Sequence, residues 1–316
     1  MAGMARKVII DCDPGIDDAV ALTLALFDPR LEVVAVTPTA GSVSAEQAGR
    51  NVQAVIEQLD PPRFPRVGTA VPPESSPGVD GRALHGEDGL ANAAYPVSRL
   101  HHQHSSDKII CDEVRGAPGL VTILCLGPLT NVARAFQRDP GLPPLVGSLV
   151  VAGGSVAVGG DATAAAEFNM YFDPESARQV YRAPITKTIV PLDVTRQLAF
   201  NLSLLQALPR EFTRAGQFLR RILPFYFRSH HQHLGRESIQ LQAVVAWLAL
   251  VQPELFKMAD MEGDVETRGE ITLGATVFER RRAAAARSNL EVALEAVPGD
   301  VIEAFTRALE LAGQAT

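Results

Sequence analysis

The sequence predicts an α/β fold: a mostly parallel central sheet flanked by helices, Rossmann-like in its alternation of elements. Short, continuously apolar runs rich in β-branched residues recur along the chain, the pattern of strands buried on both faces. The early runs are each followed by a segment of helical period, and strand-helix pairs in succession imply parallel pairing through right-handed crossovers. The runs stop at turn formers, such as Asp11-Cys12-Asp13-Pro14-Gly15, Gly127-Pro128 and Gly153-Gly154.

Val8-Ile9-Ile10 is the first buried strand, and helical periodicity runs from Asp17 through Leu26. The pair repeats, with Leu31 to Thr37 as strand and, after the turn-like Gly41-Ser42, Ala45 to Leu59 as helix. Residues Pro61 to Gly81, rich in Pro, Ser and Gly, form a long surface connection into the loop His85-Gly86-Glu87-Asp88-Gly89-Leu90; loops of this length are often functional. Val121 to Leu126 is the next strand, followed by a helix near Leu129 to Arg138, and Leu149 to Ala152 is another. At Asp173-Pro174-Glu175, an N-cap residue, a proline at the first helical position and an acid in the first turn start a further helix. Ile185 to Leu192 is the last clear strand of the series, and Leu202 to Leu250 is mostly helical. The tail offers strands at Ile271 to Phe278 and Leu290 to Ala293 before a final helix from about Asp300. No repeat, low-complexity block or linker divides the chain, so residues 1–316 are expected to form a single domain.

Composition narrows the function classes. Of the 316 residues, 47% are hydrophobic and 21% charged, an ordinary globular balance. Lys and Arg number 29 against 36 Asp and Glu, a net charge of −7, which argues against a nucleic-acid surface built on a clustered basic face. Cys12, Cys111 and Cys125 are an odd set without metal-type spacing, and a reducing cytoplasm suits them. The start of the chain is neither a signal peptide nor a span, and no later apolar run is long enough to cross a bilayer, so no membrane is expected. The strings His101-His102-Gln103-His104 and His230-His231-Gln232-His233 suggest zinc, but no cysteine or carboxylate set completes a site, so solvated surface is expected. Arg280-Arg281-Arg282 is likewise expected to be a solvated face.

Asp11, Asp13, Asp17 and Asp18 place four carboxylates within eight residues, at a strand end and a helix start. Helix capping and the positive helix end account for two of them. The others would repel unless a cation compensates, and an all-carboxylate set suits calcium or magnesium better than zinc. In open α/β sheets, ligands bind outside the carboxyl ends of strands, where this cluster lies.

The segment Asp11-Cys12-Asp13-Pro14-Gly15-Ile16-Asp17-Asp18-Ala19-Val20-Ala21 resembles the N-terminal signature of the inosine-uridine-preferring nucleoside hydrolases. Further matches follow in order: His85-Gly86-Glu87-Asp88-Gly89-Leu90, Gly127-Pro128-Leu129-Thr130-Asn131, Ala166-Glu167-Phe168-Asn169 with Asp173-Pro174-Glu175, and Pro191-Leu192-Asp193-Val194-Thr195. The resemblance implies calcium-dependent hydrolysis of the N-glycosidic bond of a ribonucleoside, giving ribose and free base. It implies Ca2+ held by Asp13, Asp18 and the backbone carbonyl of Leu126, with Asp13 also the general base that takes a proton from the attacking water. Asp17 would bond a ribose hydroxyl. Glu167 and Asn169 would grip the sugar from one extended segment, where alternation points both side chains to one side. Asp161 stands where the family has an asparagine that reaches the primary hydroxyl; an ionised carboxylate there accepts but cannot donate. His85 is the candidate for helping the base depart. A homodimer or homotetramer is a further implication.

Two departures border this pocket. The family presents a His-Asp pair at the start of a helix, the aspartate as a calcium ligand; here the pair falls on Gln240 and Leu241 or on Gln242 and Ala243. Gln240 or Gln242 can offer a neutral oxygen, and Glu237 can substitute if its loop shifts. Ser42 replaces an asparagine common among relatives. The alternative function is therefore a weakly active or non-catalytic ribosyl-binding protein on the same fold. A haloacid-dehalogenase-type phosphatase also starts with strand and Asp-x-Asp, but it expects Thr or Val where Gly15 stands and has no counterpart to Asp17-Asp18.

Overall fold

Val8, Ile9 and Ile10 are fully buried in the strand β1 (Arg6–Cys12), which sits inside an eight-stranded sheet. The structure, a computed structural model, describes residues 5–98, 104–281 and 288–314. Helix α1 (Ile16–Phe27) leads to β2 (Leu31–Pro38), and α2 (Ala45–Leu59) to the two-residue β3 (Arg66–Val67). After α3 (Arg82–His85) and α4 (Ser106–Gly116) come β4 (Val121–Cys125), α5 (Thr130–Arg138) and β5 (Ser148–Ala152). Then follow α6 (Phe168–Phe172), α7 (Pro174–Arg182), β6 (Lys187–Val190), α8 (Leu192–Thr195), α9 (Leu204–Ala207), α10 (Arg214–Leu234) and α11 (Gln242–Val251). The chain ends with β7 (Phe256–Met261), β8 (Gly263–Val265), β9 (Thr276–Phe278), β10 (Leu290–Ala296) and α12 (Pro298–Gln314).

The sheet order is β3-β2-β1-β4-β5-β6-β10-β7, parallel throughout except for β7, which runs antiparallel to β10. The first six strands have the doubly wound order, with the direction of winding reversing between β1 and β4. Alternate residues of β1 serve two cores: Val8, Ile10 and Cys12 pack with α1, α10 and α11, while Ile9 packs with α4, α5 and α7. Helix α11 is buried from Ala243 to Leu250 and shows no polar face there, as a helix enclosed by others must. All three cysteines are buried and unpaired. Among the described residues, no helix is long and apolar enough to cross a membrane.

The expected strand over Ile271 to Phe278 shrinks to β9, because Gly274 takes a positive φ of 76° and turns the chain before Thr276. There β9 pairs only with β8, in a separate two-stranded ribbon.

Lys187 lies on β6 with 2% of its surface exposed, its Nζ donating to the carbonyls of Ala183 at 2.6 Å and Ile185 at 3.2 Å. Burial pushes its ammonium down to about 8. The unfolded chain holds that proton up to the ordinary lysine range, so the destabilisation is complete below pH 8 and is relieved as pH rises above it. Lys187→Met should therefore be most stabilising relative to wild type near pH 7 and lose that advantage by pH 10. Urea denaturation at both pH values checks this, and a pH-independent difference would refute it.

Candidate active site

The carboxyl ends of β1, β2 and β4 are stitched together by Asp11. Its Oδ1 accepts from Thr37 Oγ1 and from Asn131 Nδ2, both at 2.8 Å, and its backbone carbonyl accepts the Leu126 N–H at 2.7 Å. Asn131 also donates to the Pro38 carbonyl at 2.9 Å. Two of the sequence motifs thus meet here as scaffold.

Asp13, 3% exposed, lies at the point where the winding reverses. Its Oδ2 accepts the Ser42 N–H at 2.5 Å, and its own N–H donates to Asp18 Oδ2 at 3.1 Å. The donor in this contact is the Ser42 backbone N–H, which any residue but proline supplies. A Cβ on Gly41 would stand 2.1 Å from Asp13 Oδ2, and one on Gly127 would stand 2.4 Å from Oδ1. The carboxylate therefore sits in a slot that only glycines leave open. The Leu126 carbonyl, next to Gly127, accepts from Asn169 Nδ2 at 2.8 Å, and the same amide donates to the Ala152 carbonyl at 3.1 Å. Both amide hydrogens are thereby used, so Asn169 offers a ligand only its oxygen.

Burial pushes the Asp13 carboxyl up to about 7, against the lowering pull of Ser42 and with the nearby Asp17 adding to the rise. Asp18, 4% exposed, is raised well above the usual carboxylate range, first by burial and then by Asp13 and Asp17. Carboxylates crowded in a poorly solvated site need a proton or a cation. Among the described residues, no three His, Cys, Asp or Glu side chains converge as a metal cage. The remaining donor set, Asp13 and Asp18 with the Leu126 carbonyl, is all oxygen, and Gly41 and Gly127 place no Cβ against the Asp13 oxygens; both fit a hard cation.

The extended segment expected at Glu167 and Asn169 is not present. Glu167 is the N-cap of α6 and Asn169 lies in its first turn. Glu167 Oε1 accepts the Asn169 N–H at 3.1 Å, and Oε2 accepts the N–H groups of Gly154 at 3.0 Å and Met170 at 3.2 Å. Capping defeats alternation because these three donors would otherwise be unsatisfied at a buried helix start. Burial, and secondarily the carboxylate of Asp161, push Glu167 up to about 8. Asp161 lies exposed at the rim, its Oδ1 accepting the Phe168 N–H at 2.8 Å. Asp17 is half-buried at the start of α1.

His85, 7% exposed, accepts the Ile16 N–H on Nδ1 at 2.9 Å, which fixes the loop it ends to the start of α1. Its ring stacks on Tyr226 with centroids 5.1 Å apart, and Tyr226 meets His230 edge-on at 4.3 Å. Sequence reasoning missed Tyr226 and placed His230 on solvated surface; His230 is 3% exposed, whereas His231 and His233 are exposed as expected. The available signal was helical spacing: Phe218, Ile222, Tyr226 and His230 continue one buried face of α10. Of the other string, His104 is exposed and the rest lies outside the described residues, as does Arg282.

The helix that should open with a His-Asp pair, α11, starts at Gln242 with Leu241 as its N-cap, 1% exposed. Glu237 does not substitute, since it points to His231 at 3.1 Å with its side chain 82% exposed. The side-chain oxygen of Gln240 accepts from Arg236 at 3.0 Å, and Gln242 has a buried amide nitrogen without a partner.

A family model described as inosine-uridine preferring nucleoside hydrolase matches residues 8–303. The non-specific ribonucleoside hydrolase RihC of Escherichia coli O7:K1 is 37% identical over 297 residues, 92% of this chain and 94% of the relative. The pyrimidine-specific ribonucleoside hydrolase RihA of Salmonella choleraesuis is 35% identical over 280 residues, covering 87% and 89%. Among solved structures, a purine-preferring ribonucleoside hydrolase from Gardnerella vaginalis superposes with a TM-score of 0.89 at 27% identity, covering 98% of this chain and 100% of that one. A plant nucleoside hydrolase, PpNRh1, gives 0.87 at 29% identity, covering 97% and 99%. With its motifs converging at one crevice and the family pattern spanning nearly its full length, the chain belongs to the inosine-uridine preferring nucleoside hydrolases.

Proposed function

We propose that the protein hydrolyses the N-glycosidic bond of ribonucleosides with a bound calcium ion, releasing ribose and free base. The observation that carries this is the glycine-walled placement of Asp13 beside Asp18, with the Leu126 carbonyl and Asn169 at the same crevice. Calcium, held by Asp13, Asp18 and the Leu126 carbonyl, would polarise water and lower its pKa. Asp13 takes the proton of the attacking water as its oxygen approaches the anomeric carbon. Asp17, Asp161 and the oxygen of Asn169 accept from ribose hydroxyls, and the surrounding carboxylates favour the positive charge that develops on the sugar. Glu167 holds Asn169 in place through its cap and adds to that field. We place this activity in a reducing cytoplasm and in a homodimer or homotetramer, on the unpaired cysteines and the family resemblance.

The test is a panel of purine and pyrimidine ribonucleosides, assayed for reducing sugar after chelation and after adding calcium back. Release that needs calcium is the expected result. The calcium requirement should lie at higher concentration than in relatives with the third carboxylate, because ligand charge tunes affinity. The absence of the His-Asp pair favours one rival: a protein that binds ribosides without turnover. Retained binding with no sugar from any nucleoside would select it.

A further inference from the structure

We propose that Asp193 and Arg196, at either end of one turn of α8, are positioning residues that clasp the loop between β5 and α6, and that through this loop they set the grip of Asp161 on the primary hydroxyl of the ribose. The inference rests on the hydrolase reading above and assigns a role to the motif Pro191-Leu192-Asp193-Val194-Thr195 and the arginine that follows it.

The loop has little means of holding itself. Val156-Ala157-Val158-Gly159-Gly160 carries no side chain that can hydrogen-bond, and Ala157 and Val158 are exposed. Gly159 adds a positive φ of 73°, and glycines lose the most conformational freedom on being ordered. Order has to come from outside, through the backbone groups. Helix α8 supplies it. Asp193 Oδ2 accepts the Val156 N–H at 2.6 Å and Oδ1 accepts the Ala157 N–H at 2.8 Å, a fork of two charge-assisted bonds. Arg196 answers with the other polarity, donating from Nη1 to the Val158 carbonyl at 2.6 Å and from Nη2 to the Gly160 carbonyl at 2.7 Å. Two side chains of opposite charge thus hold an apolar loop by its main chain alone.

The clasp is mounted on the frame of the sheet. The Leu192 N–H donates to the Gly154 carbonyl at 2.9 Å, and Gln197, just past α8, donates from Nε2 to the Leu294 carbonyl of β10 at 2.8 Å. The near end of the loop is pinned separately. Gly154 donates to Glu167, and Thr276 Oγ1 accepts the Ser155 N–H at 2.8 Å and donates to the Ser155 carbonyl at 2.7 Å. Opening the clasp therefore frees residues 156–160 and leaves Glu167 and Asn169 in their cap. Asp161 follows directly. On its far side it is tied to the start of α6 by the Phe168 N–H at 2.8 Å; the clasp fixes its near side through Gly160. An ionised carboxylate only accepts, so the sugar group it grips must be a hydroxyl that donates.

The experiment compares kcat/KM for uridine and for 5′-deoxyuridine, which lacks the primary hydroxyl, in wild type, Asp193→Asn and Arg196→Lys. Hydrogen exchange over 156–160 is followed by mass spectrometry in the same proteins. Asparagine keeps the shape of Asp193 but sets an amide N–H against a backbone N–H; lysine keeps the charge of Arg196 but not its two-carbonyl fork. Wild type should favour uridine by about 10- to 100-fold, the size of one hydrogen bond to a charged group. Each variant should exchange faster over 156–160, lose about 10-fold on uridine and lose less than about threefold on 5′-deoxyuridine, so that the preference for the hydroxyl collapses. Equal losses on the two ribosides would overturn the proposal, leaving the clasp a prop of the fold with no part in sugar recognition. Faster exchange with unchanged uridine kinetics, or unchanged exchange in both variants, would overturn it too. Release of sugar from neither riboside by wild type would sink the hydrolase reading by itself. The dissociation constants of the two ribosides then decide the clasp: weakening confined to uridine upholds it, and equal weakening, no weakening or no binding overturns it.

Discussion

Asp13→Asn will lower kcat for ribose release by at least about 10³-fold while leaving the metal-free protein as stable as wild type or more so. On the proposed mechanism the rate loss would combine removal of the general base with removal of a calcium ligand, each a large term in water activation. Stability moves the other way because Asp13 is buried and crowded, with its carboxyl raised to about 7. A carboxyl whose folded pKa lies above its unfolded value costs stability as pH rises between the two, and the whole cost is present above the folded pKa. In chelator, Asp13→Asn should thus melt above wild type at pH 8 and converge with it below about pH 4, the ordinary aspartate range. Adding calcium should raise the melting temperature of wild type and not of the variant. Near-normal turnover in Asp13→Asn would remove Asp13 from the mechanism, whatever the melting curves show.

Gly41→Ala will cost about 10²-fold or more in kcat/KM through a single methyl group. Its Cβ would lie 2.1 Å from Asp13 Oδ2, inside any permissible contact, so the carboxylate has to rotate out of the slot and give up the Ser42 N–H. Misplacing a catalytic group by about 1 Å commonly costs about 10²-fold. Gly41 does not have a positive φ, so alanine brings no backbone strain of its own. Gly49→Ala in α2 is the control: nothing lies within 4 Å of its added Cβ, and a glycine replaced inside a helix should gain roughly 0.5–1 kcal/mol. Equal activity in the two variants would show that the slot around Asp13 is not needed in its present form.

The sequence made the sheet legible wherever burial on both faces forced unbroken apolar runs, as in Val8-Ile9-Ile10 and Val121 to Cys125. It hid β7, whose Phe-Lys-Met-Ala-Asp-Met lacks β-branched residues and is held in the sheet by its pairing with β10. Asp13, Asp17 and Asp18 were legible because four carboxylates in eight residues demand a compensating charge. Tyr226 and His230 were not, because their place beside His85 arises from α10 packing against the chain near that residue. The Ser229 hydroxyl reaches the Leu84 carbonyl at 2.7 Å across 145 positions of sequence, and no local pattern announces such a contact. Glu167 shows a third case. Its residue type pointed to the site, but the competition between an extended segment and a buried helix start was decided by three backbone donors from two places in the chain.

The two outermost strands of the sheet also bear on how copies of this chain can meet. At one border, β3 is only two residues long, and its Arg66 is tied to Glu113 at 2.6 Å and Asp112 at 3.4 Å. At the other, β7 runs against the direction of its neighbours and carries Lys257, paired to Glu295 at 2.9 Å, and Asp260. Short length and charge are how natural sheets discourage strand-to-strand growth. Any association between copies would therefore run through helices and loops and leave the sheet eight strands wide.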